Sequence, residues 1–326
     1  MGLIDSFGRR ITYLRLSVTD RCNLRCRYCM PAGGVPKLRH GETLSYEDLL
    51  RVSREAVSLG IEKIRITGGE PLVRKGLVDF AGRVAAIPGL RELVLTTNGL
   101  QLTETAAPLR RAGVKRLNIS LDSLRPETFS YITRGGELQR VLDGIAAAEA
   151  AGFPPVKINV VVMRGVNDEE LLDFAALTVD KPWTVRFIEY MPTLREEGWR
   201  EHCVPGREIL RRIGERFPLL PMVSAEMAGP ARNFRISGAA GAIGIITPVS
   251  GHFCDQCNRI RVTAAGVARG CLFSGEGLDL KPLLAADDHD LLRRGLRSLI
   301  VGKPGRHHLE NGDVGDGTVA MSRIGG

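Results

Sequence analysis

The stretch Tyr13–Thr19, which reads YLRLSVT, decides the fold class of this 326-residue chain. It is a short strand-like run, and a loop and a helix-like segment follow it. The same alternation continues to about Glu189 and is typical of a parallel sheet built from βα units. The predicted strands are Tyr13–Thr19, Lys63–Thr67, Glu92–Thr96, Arg116–Leu121, Val156–Met163 and Thr184–Glu189. The predicted helices between them are Ser45–Leu59, Leu77–Ala86, Thr103–Arg111, Leu138–Ala151 and Asp168–Val179.

About six βα units are too few to close an eight-stranded barrel, so we expect an α/β fold with an open, partial TIM-type barrel. Its active site should lie at the carboxyl ends of the strands. After Met191 the alternation stops, and prolines and glycines separate short segments. The sequence therefore predicts a partial barrel over residues 1–191 and a smaller C-terminal module over residues 192–326. Within that module we expect a hairpin around Arg259–Val262 and Ala268–Leu272, a helix over Asp288–Ile300 and an extended tail.

The charge balance favours an anionic partner. The chain has 45 Lys plus Arg against 37 Asp plus Glu, a net charge of +8, which suits a nucleotide, a nucleic acid or a phosphate. Its first twenty residues hold no apolar run of the secretory kind, and no stretch approaches the ~20 apolar residues that span a bilayer. We therefore expect a cytoplasmic protein with no membrane partner.

The chain has 7 cysteines, and three of them follow the first predicted strand in the segment Cys22-Asn-Leu-Arg-Cys26-Arg-Tyr-Cys29. Clustered cysteines in a reducing compartment indicate a metal site rather than disulfides. Three thiolates leave one metal position open, which favours a 4Fe-4S cluster whose open iron a small molecule can chelate. The alternatives are a zinc ion with His40 as its fourth ligand and a group of packing thiols.

A second set of three cysteines surrounds the predicted hairpin: Cys254, Cys257 and Cys271. His252 lies two residues before this set and could complete a Cys3His site, so zinc stays open as an alternative here. Arg259 and Arg261 follow at alternate positions. On a strand, their side chains would lie on one face and suit an anion such as a polyphosphate.

The first cysteine set resembles a known pattern. Cys-x-x-x-Cys-x-x-Cys after the first strand of a βα barrel, with Tyr28 before the third cysteine, is similar to the radical S-adenosylmethionine (SAM) superfamily. Thr67-Gly68-Gly69-Glu70-Pro71 resembles the glycine-rich motif with which that superfamily holds the SAM amino group. Motifs along the whole chain resemble the GTP 3′,8-cyclase family of this superfamily, which starts molybdenum cofactor biosynthesis. They are Gly8-Arg9, Leu14–Cys22, Cys29-Met30-Pro31, Arg65–Pro71, Thr96–Gly99, Asn118–Asp122, Lys157–Asn159, Arg186–Met191, the second cysteine set and Ile324-Gly325-Gly326.

The resemblance to this family implies a role for each matching residue. The first cysteine set would hold the cluster that binds SAM, and the second set would hold another 4Fe-4S cluster whose open iron faces GTP. The implied SAM contacts are Tyr28, Gly69, Ser120 and Met191. The implied GTP contacts are Arg15, Arg65, Thr96, Lys157, Arg186, Arg259, Ile260 and Arg261. The implied catalytic residues are Arg259, Arg261, Gly325 and Gly326, of which the two glycines could follow a narrow path that any Cβ would block.

The implied reaction begins when the cluster reduces SAM to a 5′-deoxyadenosyl radical, which removes hydrogen from carbon 3′ of the GTP ribose. The resulting carbon radical attacks carbon 8 of guanine, giving 3′,8-cyclo-7,8-dihydro-GTP. The protein would position the reacting atoms and exclude water. The family further implies an electron donor of unknown identity, a homodimer and cyclic pyranopterin monophosphate synthase as the next enzyme.

Two other hypotheses compete with this one. A radical SAM enzyme that modifies a peptide or a tRNA would also carry C-terminal cysteines, but the chain lacks a long basic run, so we expect no nucleic-acid partner. A non-enzymatic Fe-S or zinc protein would leave the Gly68-Gly69-Glu70 motif unexplained. Cys203, His307 and His308 form no recognisable ligand pattern and receive no role. For Gly325 and Gly326 the alternative is a frayed terminus.

Overall fold

The computed structural model describes residues 3–191, 198–223, 229–274, 277–286, 288–306 and 321–325. Its strands are β1 (Tyr13–Ser17), β2 (Lys63–Thr67), β3 (Glu92–Thr97), β4 (Arg116–Ser120), β5 (Lys157–Val162), β6 (Thr184–Glu189), β7 (Leu219–Pro221), β8 (Arg232–Ile236), β9 (Ala242–Ile246), β10 (Arg259–Val262), β11 (Val267–Arg269) and β12 (Leu278–Asp279). Its helices are α1 (Tyr46–Ser58), α2 (Leu77–Ala85), α3 (Leu102–Arg111), α4 (Pro126–Thr133), α5 (Leu138–Ala150), α6 (Leu171–Asp180), α7 (Trp199–His202), α8 (Gly206–Gly214), α9 (Lys281–Ala285), α10 (His289–Val301) and α11 (Met321–Ile324).

The described strands form one 12-stranded sheet in the order β12-β11-β10-β1-β2-β3-β4-β5-β6-β9-β8-β7. Strands β1 to β6 are parallel neighbours in chain order, which confirms the predicted open, partial barrel of βα units. Two further parallel strands come from the part of the chain after residue 191. Strand β10 pairs with β1 and β9 pairs with β6, so the C-terminal segments extend both ends of the parallel sheet.

Several predicted boundaries are corrected. Strand β1 ends at Ser17 rather than Thr19, because the chain turns there into the loop of the first cysteine set. Helix α4 was not predicted, and Pro126 occupies its first turn, where the missing N–H costs nothing. The end of the chain is not simply an extended tail, since Met321–Ile324 form a short helix. The predicted boundary between residues 191 and 192 adjoins residues 192–197, which lie outside the described residues.

The two faces of the sheet differ because successive side chains of a strand point to opposite sides. In β1 and β2 the residues Leu14, Leu16, Ile64 and Ile66 are completely buried in the hydrophobic core. The alternate residues of the same strands are polar, and most of them line a cavity on the inner face of the sheet. The core therefore holds the outer face, which leaves the inner face available for a site.

Candidate active site

The cavity on the inner face has a volume of about 290 Å³. Its lining includes at least one inward residue from each of the eight described parallel strands and residues from the loops at their carboxyl ends. All six cysteines of the two sets lie on it. Most of the predicted contacts also lie on it, namely Arg15, Tyr28, Arg65, Gly69, Thr96, Ser120, Arg186, Met191, Arg259 and Arg261.

The loop of the first cysteine set is held by the C-terminal end of α4. The backbone N–H of Arg25 donates to the carbonyl of Thr133 at 3.2 Å, and that of Arg27 donates to Ile132 at 2.9 Å. These carbonyls belong to the last turn of the helix, where they have no intrahelical partner. The helix end thus fixes the loop that carries Cys22, Cys26 and Cys29.

Burial raises the pKa of every thiol in the first set. The pKa of Cys22 rises to about 11 and that of Cys29 to about 12, in both cases mainly through desolvation. The pKa of Cys26 rises well above its usual range through burial, with further contributions from Asp122 and from the neighbouring thiols Cys29 and Cys22. The three sulfur atoms therefore lie close enough to influence one another.

The predicted SAM contacts surround this first set. Tyr28 donates a hydrogen bond from its hydroxyl to Asp122 at 2.9 Å. Burial raises the pKa of Asp122 to about 6. A Cβ on Gly69 would lie 2.4 Å from the backbone oxygen of Arg21, so only glycine allows the β2 loop to approach the cysteine loop this closely. Glycine is therefore required by the packing of these two loops.

Glu70 fixes the loops around the predicted SAM site. Its carboxylate accepts hydrogen bonds from the Thr97 hydroxyl at 2.8 Å and from the Asn98 backbone at 2.7 Å. Burial nevertheless raises its pKa to about 7. The carboxylate therefore connects the ends of β2 and β3.

The second cysteine set lies in cationic surroundings. Although burial raises the pKa of Cys257, the charges of Arg259 and Lys303 outweigh that effect and lower it to about 6. Lys303 is 2% exposed, and its ammonium donates to the Gly270 carbonyl at 2.5 Å, beside Cys271. Arg9 donates to the Cys254 carbonyl at 2.8 Å. Cations from both ends of the chain thus meet at this set.

The two cysteine sets suit a 4Fe-4S cluster better than a single metal ion. Among the described residues, no three Cys, His, Asp or Glu side chains converge closely enough to hold one metal ion. Zinc would require its thiolates at about 2.3 Å from a common centre, whereas a 4Fe-4S cluster takes each thiolate on a separate iron. The geometry gives the zinc alternative no support. The three cysteines of each set, none of which forms a disulfide among the described residues, line a common cavity and fit the wider cluster.

A row of three arginines crosses the inner face. Arg15 is the register partner of Arg261 on one side and of Arg65 on the other. Burial lowers the pKa of Arg15 well below its usual range, with Arg261 as the next cause, and burial also lowers the pKa of Arg261 to about 10. Like charges on adjacent strands destabilise a sheet. An anion bound among them would remove this cost.

Unpaired polar atoms on the inner face also indicate a ligand. Buried side-chain atoms without a hydrogen-bond partner among the described residues include the Nε atoms of Arg15, Arg65 and Arg186 and the hydroxyl of Thr96. Such atoms cost free energy unless a ligand or water satisfies them. The predicted polar contacts are therefore arranged as binding groups rather than as an internally satisfied network.

Two predicted GTP contacts lie outside the described lining of this cavity. Ile260 is completely buried in the hydrophobic core, since it alternates with Arg259 and Arg261 and points to the opposite face. Lys157 lies at the first residue of β5. Burial, together with the charges of Arg186 and Arg116, lowers its pKa to about 7.

The C-terminal segment lies between the two cysteine sets. The backbone N–H of Ser322 hydrogen-bonds the Cys29 thiol, and the Gly325 carbonyl accepts from Arg261 at 2.9 Å. Gly325 has a φ of +77°, and a Cβ there would lie 2.3 Å from the Thr67 hydroxyl oxygen. The predicted approach of this segment is thus present for Gly325. Gly326, His307 and His308 lie outside the described residues.

The sequence reasoning missed several residues of this site. Tyr13 lines the cavity, and Lys303 lies beside the second cysteine set, yet neither belongs to a motif that was interpreted. A signal for Tyr13 exists in the alternation of polar and apolar residues along β1, which places it on the same face as Arg15. No local signal marks Lys303, because its neighbours there are distant in sequence. Cys203 is half-buried outside the described cavity lining.

The comparisons with known proteins agree with this architecture. A family described as the Radical SAM superfamily matches residues 16–178, and one described as Molybdenum Cofactor Synthesis C matches residues 183–309. The SAM-bound crystal structure of Streptococcus suis SuiB is similar in fold, with a TM-score of 0.63 and 15% sequence identity. That match covers 88% of this chain and 68% of that chain. The fold and site therefore define a partial-barrel protein of the radical SAM superfamily.

Relatives narrow this class. The GTP 3′,8-cyclase of Geobacter sulfurreducens is 66% identical over 326 residues, which is 100% of both chains. The GTP 3′,8-cyclase of Moorella thermoacetica is 49% identical over 323 residues, 99% of each chain. The chain belongs to the GTP 3′,8-cyclase family. No helix among the described residues is long and apolar enough to cross a membrane.

Proposed function

We propose that this chain converts GTP to 3′,8-cyclo-7,8-dihydro-GTP in the cavity on its inner sheet face, as the first step of molybdenum cofactor biosynthesis. The observation that carries the proposal is that both cysteine sets and the arginine row line one cavity. Membership of the superfamily implies a 4Fe-4S cluster and SAM, and Cys22, Cys26 and Cys29 would hold that cluster. When bound, the cluster and SAM supply the 5′-deoxyadenosyl radical that removes hydrogen from carbon 3′ of the ribose.

The residues around the first cysteine set would bind SAM. Tyr28, Gly69, Ser120 and Met191 all lie on the cavity, which supports their assignment as SAM contacts. Gly69 lets the β2 loop pack directly against the backbone of Arg21, and this close packing would set the position of the glycine-rich loop beside SAM. These residues orient SAM and require no change of their own protonation.

The second cysteine set would hold another 4Fe-4S cluster next to GTP. This proposal is supported by the position of the three thiols beside the cations Arg259, Arg261 and Lys303, because thiolates and a nucleotide polyphosphate both need positive neighbours. Arg259 donates to the Cys257 sulfur at 3.6 Å, while Arg261 lies two residues further along the same strand face. A structural zinc would not explain these cations.

The inner-face cations would bind the triphosphate. Arg15, Arg65, Arg186, Arg259 and Arg261 are the proposed side-chain contacts on the cavity, with Thr96 as a hydroxyl contact. Lys157 would reach the nucleotide from the strand starts, and Ile260 would contribute only its backbone. The unpaired Nε–H groups of Arg15, Arg65 and Arg186 would bind phosphate oxygens strongly, because charge-assisted hydrogen bonds are shorter and stronger than neutral ones.

The C-terminal glycines would complete the catalytic site together with Arg259 and Arg261. The contact of the Gly325 carbonyl with Arg261 supports this assignment, since it fixes the guanidinium beside the second cysteine set. The same segment contacts Cys29 through Ser322. Its proposed task is positioning and exclusion of water, rather than proton transfer.

Partners outside the chain follow from the same proposal. Each turnover needs an electron donor, and exposed Arg21, Arg25 and Arg27 around the first cysteine set favour an acidic one. The remaining proposed partners are a second copy of this chain in a homodimer and cyclic pyranopterin monophosphate synthase, which would take up the product.

The proposed sites divide the chain in two. We propose that residues 1–191 provide the SAM site and that residues 192–326 hold the second cluster, next to GTP. The strands of both parts nevertheless belong to one sheet.

The test uses anaerobically reconstituted full-length protein with a chemical reductant and SAM. We expect 5′-deoxyadenosine to form in the presence of GTP, with cyclised nucleotide as the second product, and not with RNA or a peptide in place of GTP. Formation of 5′-deoxyadenosine that depends on RNA or on a peptide would replace the proposed substrate. Absence of GTP-dependent product from protein with full iron content would overturn the proposed activity.

A further inference from the structure

Tyr13, the first residue of β1, has a buried hydroxyl that the proposed function does not use. Its side chain lines the cavity and is 3% exposed. The hydroxyl oxygen has no hydrogen-bond partner among the described residues. A tyrosine whose only task was core packing would place its hydroxyl at a partner or in water, so this one indicates a missing ligand.

The surroundings of Tyr13 specify the charge of that ligand. Its register partners are Arg259 on β10 and Lys63 on β2. The Arg65 guanidinium carbon lies 5.5 Å from the ring centroid, and the Lys63 ammonium lies 5.3 Å from it. Burial raises the pKa of the phenol, but the charges of Arg65, Arg15, Lys63 and Arg259 together lower it below its usual value.

The ring and the hydroxyl of Tyr13 have different surroundings. The Arg65 and Lys63 contacts are made with the ring, whereas the hydroxyl has no hydrogen-bond partner among the described residues and is available to a polar ligand. Arg15 stands two residues along the same strand face, with its Nε unpaired. A phenol O–H donates to an anionic oxygen with a short, charge-assisted bond.

We propose that the Tyr13 hydroxyl donates a hydrogen bond to a phosphate oxygen of the bound nucleotide, beside the arginine row. This inference rests on the proposed function, because it adds a contact to the same GTP site. It makes Tyr13 a binding residue for the polyphosphate, alongside the cations already assigned there. The nucleobase and SAM would be unaffected by its loss.

The test compares wild-type holoenzyme with Tyr13→Phe, which keeps the ring and its contacts with Arg65 and Lys63. Binding of GTP and of inorganic tripolyphosphate should each weaken about 10- to 100-fold, as expected for loss of a hydrogen bond to a charged group. Binding of guanosine and of SAM, and the iron content, should stay unchanged. The matched control is Tyr46→Phe: the Tyr46 hydroxyl donates to the Arg74 carbonyl oxygen at 3.4 Å, outside the described lining of the cavity.

Each other outcome overturns the contact. Unchanged binding of both phosphate ligands in Tyr13→Phe would show that the hydroxyl does not contact phosphate. Guanosine binding that weakens as much as tripolyphosphate binding would assign the hydroxyl to the base, and loss of iron or SAM binding would make Tyr13 structural. If the wild type formed no product from GTP, the proposed function would fail, but the tripolyphosphate comparison would still measure the contact.

Discussion

The two cysteine sets share a cavity but differ in electrostatic environment. In the first set, burial raises the pKa of Cys22 to about 11 and of Cys29 to about 12, and the charged groups that act on these thiols include Glu70 and Asp122. In the second set, Arg259 and Lys303 overcome burial and lower the pKa of Cys257 to about 6. Cys257 therefore loses its proton more readily than a free cysteine, whereas the thiols of the first set lose theirs less readily.

This difference separates the two proposed tasks. Iron must displace protons from the buried thiols of the first set, whose surroundings are arranged for a bound cofactor. The second set already lies in positive surroundings that suit a thiolate and an anionic substrate together. The cations that lower the pKa of Cys257 lie next to Arg261 and the arginine row, so the proposed cluster site and the proposed nucleotide site would share one positively charged surface.

The largest expected effect comes from removing the second set. Replacement of Cys254, Cys257 and Cys271 together by Ala should lower the iron content from about eight to about four atoms per chain, because one of two four-iron clusters is lost. SAM binding should remain, while GTP cyclisation should disappear. Iron analysis, SAM binding and product assays on anaerobic protein measure the three quantities. A wild-type protein that is colourless and carries one zinc per chain would contradict the second cluster.

The segment between the two sets gives the next largest effect. Gly325→Ala should reduce turnover on the order of 100-fold, because its Cβ would lie 2.3 Å from the Thr67 hydroxyl and displace a positioning segment. Binding of SAM and GTP and the iron content should barely change. Gly214→Ala is the control, since a Cβ there has no atom within 4 Å. Turnover of Gly325→Ala at the wild-type rate would mean that the terminus takes no part in catalysis.

The reaction rates of Cys257 and Cys22 with a thiol reagent test the electrostatic difference between the two cysteine sets. In iron-free protein near pH 7.4, Cys257 should be mostly thiolate because its pKa is lowered to about 6, whereas Cys22, with a pKa raised to about 11, should be protonated. Cys257 should react with iodoacetamide about tenfold faster, after allowance for the lower nucleophilicity of a low-pKa thiolate. Peptide mapping by mass spectrometry gives both rates. Cys203, whose pKa is also raised to about 11, serves as a slow control. Equal rates for Cys257 and Cys22 would refute the contrast.

The smallest expected effect tests whether the positively charged surface of the cavity extends to Lys157. Burial, Arg186 and Arg116 lower the pKa of Lys157 to about 7 in the free protein, and a bound phosphate would raise it again. GTP binding should therefore take up a proton above pH 7, and GTP affinity should fall roughly fivefold between about pH 7 and pH 8.5. Lys157→Met should remove this part of the pH dependence. An identical pH profile in the variant would place Lys157 outside the nucleotide site.

The sequence alone was sufficient for local features. The strand order from Tyr13 to Glu189 and every α-helix there except α4 follow from alternating segments. The spacing of Cys22, Cys26 and Cys29 likewise indicates a cluster without any structure. Both depend on neighbours within a few residues. Arg259 and Arg261 were also assigned correctly to one strand face, while Ile260 was not recognised as their outward neighbour, although the same alternation predicts it.

Only the tertiary structure decided what meets in the cavity. Strand β10 pairs with β1, and this pairing places Arg261 beside Arg15. Lys303 contacts Cys257 from a separate segment of the C-terminal half, and Arg9 contacts the Cys254 carbonyl across most of the chain. No local sequence pattern encodes such pairs. Which strand adds to the edge of the sheet, and in which register, depends on burial of the whole hydrophobic outer face. The sequence by itself thus predicted most elements of the barrel and the two three-cysteine sets, whereas packing of distant segments determined the charge around each cysteine set.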